Sequence, residues 1–396
     1  MPLERPGVPV SGPRQWLADF GGVYFGNAVV AILFACTGPV AIILSVGAAG
    51  HLSESDIASW IFGAFFINGL LSIAMSAVYR QPLVFLWSIP GAVLVGPALG
   101  HMSFPEVIGA FLATGVLMLL LGLSGWVKRA MDAVPLPIVM AMVAGVFLRF
   151  GVGLVFAFRD GLAIAASMTA VWLALTVSRS RIPPLVAALV VGAVVIALEG
   201  SFRPPATLFA FAAPNVYTPV LSWNAMVELV VPLAVTVLVV QNGQGIAVLT
   251  ANGHPPPVNT ITAACGLGSI LIGLVGSVPT CLTGPVNAIL SASGERGRQY
   301  TSALLVAALA MLFGLLAPFF TRLLLATPPA FIATLAGLAM LRVLQTAFTT
   351  SFGGAYSFGA LVCFLVTVAD VPIFNIGAAF WGLVFGLATS YLLERK

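Results

Sequence analysis

The sequence predicts an all-α polytopic membrane protein. Fourteen transmembrane segments are expected as two inverted repeats of seven, with segments 3 and 10 each broken into an extended stretch and a half-helix. Three observations lead there. The 396 residues are 60% hydrophobic and 7% charged, with a mean hydropathy of +1.11, against about 25% charged in an average soluble domain. The apolar runs have helical length, unlike the alternating segments of roughly ten residues that build an outer-membrane barrel. Two short interrupted segments of matching grammar also occupy corresponding places in the two halves, which is the best sequence pointer to a transporter's binding site.

The first seven segments are read at about 20–47, 55–78, 82–100, 105–126, 133–151, 159–178 and 182–199. A polar, proline-containing loop spans about 200–222. The second seven lie at about 224–250, 257–276, 277–292, 298–322, 328–347, 352–369 and 372–393. Residues 1–200 thus form one repeat and 223–396 the other. Val30–Leu44 and Val235–Leu249 match weakly, setting Cys36-Thr37-Gly38-Pro39 opposite Gln241-Asn242-Gly243-Gln244. Seven is odd, so the second repeat is inverted. The polar N-terminus through Gln15 carries no removable signal peptide in this reading.

Charge sets the orientation. With a cytoplasmic N-terminus, Arg5, Arg14, Arg80, Lys128, Arg129, Arg179, Arg181, Arg296, Arg298, Arg342, Arg395 and Lys396 fall inside. Arg149, Arg159, Arg203 and Arg322 fall outside. Positive residues resist translocation, so this asymmetry fits a bacterial-type inner membrane with both termini cytoplasmic. No basic cluster is long enough to hold nucleic acid.

The broken segments are Ser88-Ile89-Pro90-Gly91-Ala92, after Leu83–Trp87, and Ser277-Val278-Pro279-Thr280-Cys281, after Leu271–Gly276. Each leads into a short stretch with its own Gly-Pro, at Gly96-Pro97 and Gly284-Pro285. Half-helices are expected to begin at Gly91 and Thr280, facing one another near the bilayer centre. A broken helix exposes N–H groups that are tolerated only against protein or a wet cavity, where they can hold an anion. Thr280, Thr283 and Asn287 add polar side chains.

The densest intramembrane polar set is Gln241, Asn242 and Gln244, with Gly243 and Gly245 allowing close approach or unwinding. These amides either hold a polar solute or join helices by hydrogen bonds. Asn27 and Thr37 in segment 1 would face them. The candidate substrate-binding set is therefore Asn27, Thr37, Ser88, Pro90, Gly91, Gln241, Asn242, Gln244, Pro279, Thr280, Cys281 and Thr283. Glu228, the deepest carboxylate, is the candidate proton carrier, with an interfacial role as the alternative. Asp370 falls at the turn between segments 13 and 14. His51, His101 and His254 are expected in solvated loops. Cys36, Cys265, Cys281 and Cys363 lie in apolar segments as reduced thiols. Tyr24, Phe25, Phe34, Phe85 and Trp87 flank the polar elements and can pack on an aromatic ring. No nucleophile triad, zinc site or P-loop appears, so neither enzyme chemistry, a metal nor a cofactor is expected.

On SIPGA at 88–92, QNGQGIAVL at 241–249 with ANGHPPP after it, SVPTCLTGPVNAI at 277–289 and FNIGAAFWGLVFG at 374–386, the chain resembles the benzoate:proton symporter family over essentially its whole length. That family is similar in architecture to uracil/xanthine permeases and SulP-type anion transporters. The resemblance implies a core domain at about 20–126 and 224–322 and a gate domain at about 133–199 and 328–393. It also implies homodimers, elevator-like motion, and uptake of benzoate or a related aromatic carboxylate with a proton. Nucleobase permeases carry acidic residues in segments 8 and 10. Here Gln241, Asn242, Gln244 and Thr280 stand in that region. A nucleobase permease of the same fold and an uncoupled anion pathway are the alternatives.

Overall fold

The computed structural model describes residues 3–132, 134–178, 183–203, 207–292, 294–371, 373 and 378–394. Arg179, Arg181, Arg395 and Lys396 of the charge pattern, and residues 374–377 of the C-terminal motif, lie outside the described residues.

A short helix α1 (Pro13–Asp19) precedes the first membrane segment. That segment is two helices, α2 (Gly22–Cys36) and α3 (Gly38–Ala49), parted at Thr37 with φ −94° and ψ −99°. Pro39 at the start of α3 supplies no N–H and crowds the preceding turn, which breaks the helix there. Next comes α4 (Glu54–Tyr79), opened by a capping box between Ser53 and Asp56. Strand β1 (Phe85–Trp87) leads into α5 (Ile89–Ala98). Then follow α6 (Phe104–Ser124), α7 (Val127–Asp132), α8 (Leu136–Asp160), α9 (Leu162–Val177) and α10 (Pro184–Glu199).

The second half opens with α11 (Trp223–Ala251), one span with π turns at Met226–Val230 and Thr236–Asn242. It continues through α12 (Val258–Gly273), β2 (Thr280–Leu282) and α13 (Gly284–Ser291). It closes with α14 (Tyr300–Leu315), α15 (Ala317–Leu325), α16 (Pro329–Phe352), α17 (Ser357–Ala369) and α18 (Ala378–Leu393). Among the described residues, 7 helical spans are long and apolar enough to cross a membrane. The chain is thus a mostly helical, multi-pass membrane protein.

Packing runs in recognisable pairs. α8 lies along α16, α6 along α12, α9 along α10 and α17 along α18. α3 packs on α5 and α16, whereas α2 packs on α13 and α14. The break at Thr37 therefore lets one membrane segment serve two different neighbours. The polar connection after α10 is tied across helix ends by Ala212 N–H to Leu315 O (2.8 Å), Tyr217 N–H to Leu274 O (2.9 Å) and Val220 N–H to Pro105 O (3.0 Å).

Three expectations need correction. The second half-helix does not begin at Thr280. Residues Thr280–Leu282 are a strand, and α13 starts at Gly284. The run Leu271–Gly276 is not extended either; α12 continues to Gly273 before a turn. Pairing with β1 explains both, because a strand needs a partner at membrane depth and β1 is the one available. Finally, the fifth segment extends to Asp160, which puts Arg149 within the body of α8 rather than near the segment's outer end. Buried Phe150, Leu154 and Ala157 continue the apolar face past the arginine, and the helix stops only at Gly161.

Candidate substrate site between the half-helices

β1 and β2 pair antiparallel, with Phe85 opposite Leu282, Leu86 opposite Cys281 and Trp87 opposite Thr280. Two further bonds lengthen the ladder: Ser88 N–H to Pro279 O at 3.0 Å and Thr283 N–H to Val84 O at 3.1 Å. A two-stranded sheet leaves two open edges, and no water is present in a bilayer core to satisfy them. Side chains of the flanking helices do so. On the β1 edge, Ser72 Oγ accepts from Phe85 N–H (2.8 Å), and Ser76 Oγ accepts from Leu83 N–H (3.2 Å). On the β2 edge, Ser269 Oγ accepts from Thr280 N–H (2.9 Å), and Asn242 Oδ1 accepts from Leu282 N–H (2.8 Å). Asn287 holds Val84 from both sides, accepting from its N–H at 3.0 Å and donating to its O at 3.3 Å.

These edge partners are the residues that sequence reasoning missed or misassigned. A signal for them exists. Asn68, Ser72 and Ser76 repeat every fourth residue on one apolar helix, and Cys265 and Ser269 do the same on another. Such spacing aligns polar groups along one helix face, here the face that meets a strand.

The candidate residues divide by what their side chains already do. Asn242 is committed to Leu282, with its Nδ2 also 3.5 Å from Cys265 Sγ. Thr280 Oγ1 donates to Asn68 Oδ1 at 2.8 Å. Thr37 returns its hydroxyl to its own helix, at Leu33 O (2.9 Å) and Phe34 O (3.1 Å). Ser88 Oγ accepts from Gly91 N–H at 3.1 Å and so caps α5. Asn27 is partly buried on α2 and already engaged. Pro90, Gly91, Pro279 and Cys281 are buried parts of the strand and helix joints.

Three residues keep free polar capacity. Thr283 occupies the N-cap of α13 without making a side-chain cap bond. Gln241 is 8% exposed in the second π turn and makes no hydrogen bond among the described residues. Gln244 is exposed and reaches over the start of α13. A Cβ on Gly284 would stand 2.7 Å from Gln244 Cδ, so glycine is what admits the amide there. Pro285 at the second helical position donates nothing. The remaining first-turn N–H groups therefore lie beside the amide of Gln244, at the positive end of the helix dipole. Donors without a fixed negative charge suit an anion.

Glu228 lies apart, on the first π turn of α11, 5% exposed. His101 Nε2 is 3.0 Å from its Oε2. Leu94, Pro97 and Asp370 join Glu228 around a cavity of about 30 Å³, room for about one water. His101 is thus an exposed turn residue, as expected, that also reaches the buried carboxylate. His254, by contrast, is buried rather than solvated, 2.7 Å from Gln299 Oε1. His51 and His101 are exposed.

Known proteins resemble this chain over nearly its full length. The Escherichia coli K12 inner membrane protein YdcO is 30% identical over 363 residues, covering 90% of this chain and 92% of that one. The benzoate membrane transport protein of Acinetobacter baylyi is 26% identical over 373 residues, covering 92% and 94%. The transmembrane domain of the cyanobacterial bicarbonate transporter BicA superposes with a TM-score of 0.63 at 14% identity, over 92% of this chain and 97% of that one. The murine anion transporter Slc26a9, in its inward-facing state, gives 0.63 at 14% over 98% and 73%. The fold is therefore that of these anion transporters. The family model for benzoate membrane transport proteins matches residues 20–392. The chain is a multi-pass membrane transporter, not an enzyme, and it belongs to the benzoate membrane transport protein family.

Proposed function

We propose that the protein takes up benzoate, or a related aromatic carboxylate, together with a proton. The observation that carries this reading is the start of α13, where an uncapped helix terminus meets the uncommitted amide of Gln244 rather than a carboxylate. A carboxylate anion finds donors there without a buried lysine or arginine to release it from. A nucleobase permease would call for an acid at that place.

The strand register supports an inverted repeat. Ser88 and Thr283 both occupy the N-cap positions of half-helices, and Pro90 and Pro285 both sit in their first turns. The 7 long spans, the shorter apolar helices and α13 supply an element for each of fourteen expected segments. In this reading α2–α6 and α11–α15 form the core domain. The gate domain is α8–α10 with α16–α18, and the core slides along it with the substrate. The N-terminal face is cytoplasmic, as the arginine pattern expects.

Charge argues for the proton. A carboxylate entering alone works against an inside-negative potential at about 2.3 kcal/mol per 100 mV. A co-transported proton cancels that charge, and buried Glu228 with the exposed His101 beside it is the proposed carrier. The test is labelled benzoate in proteoliposomes, with and without an imposed inward proton gradient. Accumulation above equilibrium is expected only with the gradient. Glu228→Gln should retain benzoate exchange and lose accumulation. Sodium-driven accumulation at equal pH would overturn proton coupling, and unchanged accumulation in Glu228→Gln would clear the glutamate.

A further inference from the structure

We infer that Arg149 and the cavity beside it form a second binding site for an aromatic carboxylate, separate from the half-helix junction. The choice of ligand rests on the proposed function. A charge in the body of a membrane helix is costly, and such residues are kept where they meet a polar partner or an ion pathway. Among the described residues Arg149 enters no ion pair. Its guanidinium donates to the Val93 carbonyl on α5 and lies 5.7 Å over the Phe150 ring. Asp370 acts on it electrostatically without a direct bond. A guanidinium carries five N–H donors in a planar fork that matches a carboxylate. One carbonyl leaves most of that fork unfilled.

The unfilled side opens on a cavity of about 150 Å³. Its walls include Val46, Ala49, Gly96, Phe150 and Ala333, with Ser45 as a neutral polar member. An apolar cavity of about this size holds a benzene molecule. An apolar chamber with one cation at its edge suits a flat ring that carries a carboxylate. Gly96 makes room for the cation, since a Cβ there would come within 3.0 Å of Arg149 Nη2. The chamber draws on α3, α5, α8 and α16, and shares no lining residue with the α13 junction. A bound carboxylate would also compete with Val93 O for the guanidinium, loosening the hold of α8 on α5. The site would then serve as a waiting station whose occupation frees a half-helix to move.

The test places a reporter in the chamber. In the Phe150→Trp protein, benzoate should change tryptophan emission saturably, beyond any change in the parent, and benzamide should not. The signal should survive Gln241→Ala/Gln244→Ala. Adding Arg149→Gln should weaken the half-saturating concentration roughly ten- to a hundredfold, with Arg149→Lys intermediate. A silent reporter, or one unaffected by Arg149→Gln, overturns the site. A signal lost together with the junction amides overturns its independence. If Phe150→Trp does not fold, phenylglyoxal modification of Arg149 in the unaltered protein, mapped by mass spectrometry, gives the same answer. Benzoate should slow it, and no slowing overturns the site. A parent that binds benzoate here but does not transport it would sink the proposed function and leave this site standing.

Discussion

α5 and α13 enter through the same device: a strand residue, an N-cap hydroxyl and a proline in the first turn. At α5 the Ser88 hydroxyl accepts from Gly91 N–H, so the helix start is closed on itself. At α13 the Thr283 hydroxyl makes no such bond, and Gln244 stands over Gly284 instead. Both ends are braced by strand pairing, but only one has spare donors. The comparison teaches that a paired break need not mean a paired site. One half-helix start is closed by its own cap while its counterpart keeps its hydroxyl free of a cap bond.

The largest expected effect comes from closing the open end. Thr283→Asp would put a carboxylate at the start of α13 and cap it, leaving the anion site self-occupied. Benzoate uptake should fall by roughly a hundredfold or more while the protein stays folded. Normal uptake by this variant would break the contrast between the two ends. Asn242→Ala comes next, and here the effect falls on stability. Its loss strands the buried Leu282 N–H, costing about 1–3 kcal/mol, read as a lower unfolding midpoint in detergent. A stable Asn242→Ala protein with weakened binding would return that amide to the substrate site. The smallest effect sharpens the comparison directly. Ser88→Ala should cost about 0.5–2 kcal/mol as a lost cap, whereas Thr283→Ala should change stability by less than about 0.5 kcal/mol. Equal losses in the two variants would show that Thr283 caps its helix after all.

Much of this was legible in the residues themselves. Pro90 and Pro285 mark the half-helix starts because proline fixes its own dihedral and removes a donor, which is local chemistry. The second start was nonetheless misplaced, since Pro279 offered the same signal and only strand pairing tells the two prolines apart. Gln241, Asn242 and Gln244 read alike in sequence. Asn242 proved to be spoken for because Leu282, 40 positions away, presents an N–H to it. His101 is the exposed loop residue it read as, but its bond to Glu228, 127 positions away, was not legible.

The sequence by itself determined the membrane environment, the helical class, the two broken segments and the family. Transfer of side chains from water to lipid sums over composition, and a family match sums over the whole chain, so neither needs a fold. The tertiary structure alone decided where the second half-helix begins, which amides remain free and that Arg149 faces a chamber. Each of those depends on the partner a polar group finds at membrane depth. In a bilayer that partner must be protein, and it arrives from wherever the chain has folded.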